Sequence, residues 1–121
     1  MQTSYFKRLI ICGLLASLAA CGGTSEDGNT VQVDGINVKS TLNKTGSYNV
    51  EITGSNNEVT ITAGNKVGRL EITGINHDVW IQATAEVDSI DIAGSGNTVH
   101  VPLGFKTKLT KSGSNNDIKE G

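Results

Sequence analysis

A handful of side chains in this 121-residue chain have types and spacing that could do chemistry. Cys21 follows Leu18-Ala19-Ala20, three small or apolar residues of the kind that precede a processing site, and its thiol is a nucleophile open to lipid attachment. Trp80 and His100 are separated by one repeat length and share alternation phase with Thr60 and Lys119. An indole offers an apolar platform to a sugar ring or a partner's side chain, so Trp80, His100 and Thr60 are the candidate ligand-binding residues. Glu51, Glu71 and Asp91 recur at the same interval, and Glu58, Asp78 and Asp117 form a second acidic column broken by Thr98. Carboxylates in such rows either face solvent or share a cation, and solvation is the reading favoured for side chains at high dielectric. His77 has no second His, Cys or acidic cluster at ligand spacing, so its role is structural and no metal is expected.

Catalysis is not expected. General acid–base chemistry needs groups converging within hydrogen-bond reach, and no Ser-His-Asp or paired-carboxylate signature is present. Arg69 is the only arginine after Cys21. Nothing implies a cofactor.

Cys21 sits where a processed leader would end. Lys7 and Arg8 form a basic start, Leu9–Leu18 an apolar core, and small residues lead into the cysteine. The apolar core is too short to span a bilayer. The segment resembles bacterial lipoprotein signals, which implies a diacylglycerol thioether on Cys21, cleavage before it, and the membrane as a partner through that lipid. Residues 1–20 are thus expected as signal peptide, 21–30 as lipidated cysteine and flexible tether, and 31–121 as one domain. In a Gram-negative host, Gly22 in place of an aspartate favours the outer membrane, on its periplasmic or surface face.

Without residues 1–20, Lys plus Arg falls from 10 to 8 against 12 acids, a formal charge of −4. That balance speaks against nucleic acid as a partner. Cys12 leaves with the signal and Cys21 is consumed by lipid, so no disulfide supports the fold.

The elements that must position these residues are repeats. Gly54, Gly74, Gly94 and Gly113 are separated by 20, 20 and 19 residues, each opening a similar segment, and a degenerate copy surrounds Gly35. Within each copy Ile52, Val59 and Ile61 alternate with Glu51, Thr60 and Thr62, the period of two that strands require. No apolar stripe at helical spacing follows Cys21. The fold class is therefore all-β, a short solenoid of about 20-residue rungs. In it Val59, Val79, Val99 and Ile118 stack, as do Ile52, Ile72 and Ile92, while Asn57, Asn97 and Asn116 form an amide ladder that His77 interrupts. The competing architecture is an antiparallel meander or sandwich in which Gly54-Ser-Asn-Asn57 is a hairpin loop. Lys106, Lys108, Lys111 and Lys119 give residues 104–121 a net charge of +2, and lysines on a terminal strand discourage edge pairing.

The pattern Gly-x-x-Asn-x-Val, present as Gly54-Ser-Asn-Asn-Glu-Val59 and Gly94-Ser-Gly-Asn-Thr-Val99, resembles the bacterial family called domain of unknown function 3060. The resemblance covers roughly Val50 to Ile118. It implies a Gly/Asn-rich β repeat of secreted or lipid-anchored envelope proteins and carries over no catalytic residue. The departures are His77 in the asparagine position and Lys111 where other copies have isoleucine. The functional expectation is a lipid-anchored, non-enzymatic structural or binding module, with an envelope glycan or a protein as its partner.

Overall fold

A computed structural model describes residues 22–121. Cys21 and the signal segment lie outside the described residues. Among those described there is no helix, and the chain winds into a β-solenoid of about five turns.

Each turn contributes one strand to each of two sheets. The first sheet contains β2 (Thr30–Gly35), β4 (Ser47–Ile52), β6 (Lys66–Ile72), β8 (Glu86–Ile92) and β10 (Lys108–Lys111), all parallel. The second contains β3 (Lys39–Leu42), β5 (Glu58–Ile61), β7 (Asp78–Ile81), β9 (Thr98–Val101) and β11 (Asp117–Glu120), likewise parallel. The meander is excluded, because β4 and β5, which a hairpin would join, belong to different sheets.

The alternating pattern places the core between the sheets. Val33, Ile52, Ile72 and Ile92 stack in register, all fully buried, opposite Val59, Val79 and Val99, and Ile118 continues the second column. β-branched side chains suit these columns because each methyl rests on its equivalent one coil away. Truncating one of them, such as Ile72, would leave a cavity and cost about 2–5 kcal/mol. The coil from Gly54 to Gly74 has one residue more than the one before it; the extra residue is a bulge in β6, between the pairs Tyr48–Val67 and Val50–Leu70.

Two kinds of corner close each coil. At the first, Gly54, Gly74, Gly94 and Gly113 have positive φ, and a Cβ on any of them would overlap the carbonyl oxygen of the glycine one coil earlier. Only glycine lets backbones approach so closely. At the second, residues 62–65, 82–85 and 102–105 form turns closed by N–H to C=O bonds of 3.1–3.3 Å, with positive φ at Gly64, Thr84 and Gly104.

The expectation of a flexible tether through residue 30 needs correction. Gly22–Asp27 is strand β1, antiparallel to β2 with Gly22 opposite Gly35 and Asp27 opposite Thr30. Its residues are polar, which concealed it. The two-residue loop Gly28-Asn29, with Gly28 at φ +63°, is the kind that joins hairpins, and β2 offers an otherwise unpaired edge. Thr24 also hydrogen-bonds Ser40, and Glu26 pairs with Lys44 at 2.8 Å.

Candidate functional site: an aromatic stack at the second corner

The outward residues at the third position of the short strands form one column: Thr41, Thr60, Trp80, His100 and Lys119 stand in successive register. In the middle coils their neighbours Val59, Ile61, Val79, Ile81, Val99 and Val101 are buried in the core, so strand alternation forces Thr60, Trp80 and His100 outward. The structure thus brings Thr60, Trp80 and His100 into one row.

Trp80 and His100 are more than neighbours. Their rings lie parallel within 4° with centroids 3.5 Å apart. His100 is held in that position by Asp78, whose Oδ1 lies 2.7 Å from Nε2. Asp78 belongs to the adjacent column and the preceding coil, so the contact is diagonal and periodicity along one column does not reveal it. The stack gives one face of the indole an internal partner, which narrows the open platform expected from sequence. Trp80 remains 42% exposed. Its other face looks toward Thr60, whose side chain is too small to cover it.

Beside the stack runs a groove of ≈ 420 Å³ lined by Trp80, Ala83, His100, Leu103, Lys119 and Glu120. Leu103, 81% exposed, forms its rim at the tip of the turn 102–105. Glu120 accepts a hydrogen bond from the Gly104 N–H at 2.7 Å and fastens that turn to β11. The turn carries no period-two signal, so sequence reasoning passed over Leu103.

The asparagine column is built differently from the expected amide ladder, because its amides bond backbone and not each other. Asn57, Asn97 and Asn116 each accept, at 2.8–3.0 Å, the N–H of the residue one coil earlier: Val38, His77 and Asn97. Each also donates to the carbonyl four residues before it and to a corner glycine. His77 takes the same part: Nδ1 accepts the Asn57 N–H and Nε2 donates to the Thr73 carbonyl. Burial lowers its pKa below the ordinary histidine value, against the opposing pull of its backbone hydrogen bonds. Asn65 and Tyr48, a buried pair that sequence reasoning did not single out, satisfy one another: Tyr48 Oη donates to Asn65 Oδ1 at 2.7 Å. Burial raises the Tyr48 pKa.

The acidic rows find protein partners. Arg69 lies 3.0 Å from Asp91 and 3.6 Å from Glu71, and Gln32 donates to Glu51. In the second row Lys39 approaches Glu58 at 3.7 Å, and Asp78 is engaged by His100. Among the described residues no three of His, Cys, Asp and Glu are grouped to hold a metal ion.

Residues 52–115 match the family described as Protein of unknown function (DUF3060). No curated protein and no solved structure matches the chain.

Proposed function

The chain belongs to the family Protein of unknown function (DUF3060), and from that membership, which assigns no activity, we propose that it is a lipid-anchored, non-enzymatic binding module of the cell envelope. The anchor is the lipid on Cys21, following a signal peptide of residues 1–20, with the outer membrane as its site in a Gram-negative host. The ligand is an envelope glycan held at the Trp80–His100 groove. A single observation carries the binding reading: a large aromatic ring is fixed by His100 and Asp78 beside a groove yet left partly in water. Indole C–H faces and edges pack against sugar C–H groups, while Asp78, Lys119 and the Thr60 hydroxyl offer hydrogen bonds to ring hydroxyls.

Trp80 is the only tryptophan, so its emission reports on the groove. Titrating the processed protein with soluble peptidoglycan fragments should shift or quench that emission saturably, and His100→Ala should weaken the response. A flat titration with every envelope glycan removes this reading. The second reading is then a passive structural module, favoured by the stack itself, since Trp80 and His100 already satisfy one another.

A further inference from the structure

The three-residue tip of the first corner carries no charged side chain in any coil. It reads Gly35-Ile-Asn37, Gly54-Ser-Asn56, Gly74-Ile-Asn76, Gly94-Ser-Gly96 and Gly113-Ser-Asn115. Single bridges link Ile36, Ser55, Ile75, Ser95 and Ser114 from coil to coil into a strip. At about 4.8 Å per coil the strip is about 19 Å long. Its backbone asks little of water: the N–H groups of Asn37, Asn56, Asn76 and Gly96 reach the next coil's carbonyls at 2.9–3.1 Å.

Two large apolar side chains stand out from this strip, Ile36 at 58% and Ile75 at 52% exposure. Serine occupies their place in the other coils, so the fold does not require them there. The chain also enters the fold at this corner. Gly22, the first described residue, pairs with Gly35 at the foot of the strip.

We propose that this uncharged corner is a lipid-facing edge, with Ile36 and Ile75 entering the interfacial layer of the bilayer that holds the acyl chains on Cys21. The inference rests on the lipid-anchor reading and deepens it by fixing an orientation. A charged residue at this depth would resist desolvation; none stands in the strip itself, and the Asp34 carboxylate beside its foot accepts a hydrogen bond from the Thr53 hydroxyl. With β1 paired from Gly22 onward, almost no slack separates anchor from fold, so the corner beside the exit must lie close to the membrane. The second corner, with Leu103 and the Trp80 groove, is then turned toward the aqueous side, where a glycan can reach it.

The test uses the full chain, produced with its lipid and reconstituted in vesicles of phosphatidylethanolamine and phosphatidylglycerol containing brominated acyl chains. Trp80→Phe removes the native indole. On that background Ile75→Trp places one reporter in the strip, and Asp88→Trp places one at an exposed position of β8 in the first sheet. Vesicle flotation reads the anchor and bromine quenching reads the orientation. Flotation with blue-shifted, strongly quenched emission from Ile75→Trp, and aqueous emission from Asp88→Trp, is the expected result. Flotation with aqueous emission from both, or equal quenching of both, overturns the orientation and leaves the anchor standing. Protein that does not float overturns the anchor reading and this inference with it.

Discussion

The imidazole Nδ1 of His77 accepts the backbone N–H of Asn57 at 3.2 Å, the bond that Asn97 Oδ1 makes to His77 itself one coil later. Because Nδ1 faces a donor and Nε2 faces the Thr73 carbonyl, the ring has one compatible state, neutral with hydrogen on Nε2. A second proton would set two donors against each other in a site that is 1% exposed.

A pH dependence of stability follows from this bond. The folded pKa of His77 is lowered from 6.5, so below that value the unfolded chain binds a proton that the fold refuses. The His77 contribution is fully present above pH 6.5 and is lost as pH falls toward the folded pKa, by up to about 1.4 kcal/mol per pH unit. Denaturant melts at several pH values check this. His77→Asn, which restores the residue of the other coils, should fold well and flatten the profile in that window.

Gly74→Ala should be severely destabilising, by about 3 kcal/mol or more, since the methyl meets backbone on Gly54 that cannot move without shifting a coil. Thermal denaturation followed by circular dichroism reads the loss. Gly104→Ala is the control: a Cβ there meets open space, leaving only the positive-φ cost of about 1 kcal/mol.

Thr84→Gly should stabilise the protein. Thr84 is a β-branched residue at φ +71°, in the turn position that Gly64 and Gly104 fill in neighbouring coils. Relief of left-handed strain, less the flexibility a glycine adds to the unfolded chain, leaves a gain of about 0.5–1 kcal/mol, measurable as a rise in denaturant midpoint.

His100→Ala should cost about 1 kcal/mol, the worth of an aromatic pair beyond its burial, and shift Trp80 emission to longer wavelength as water replaces the imidazole. Asp78→Asn keeps an acceptor oxygen for His100 and should move the emission much less. Equal shifts from both variants would mean that the carboxylate charge, and not the ring, holds the stack.

The solenoid was legible because its period is written twice, in the glycine spacing and in the alternation of Ile and Val. Both come from inward positions that each coil must repeat. β1 was not legible, since Gly22–Asp27 contributes no apolar residue and owes its strand state to the edge of β2. At the candidate site, alternation sufficed to put Thr60, Trp80 and His100 in one row. The diagonal bond from Asp78 and the rim at Leu103 depend on side-chain reach and turn shape, which a one-dimensional pattern does not encode. The asparagine column shows the same limit: position was readable, but whether an amide turns to its neighbour or to backbone was decided by the close approach at the glycine corner.

The reversed direction of β1 gives the molecule a polarity. Parallel pairs bond through evenly spaced, slanted contacts, whereas antiparallel pairs alternate close and wide contacts. A second copy laying β10 along β1 would find the wrong rhythm, much as a screw meets a reversed thread. Within the first sheet, coil-on-coil growth is therefore arrested at the hairpin, and a propagating fibre is denied one of the two matching ends it requires.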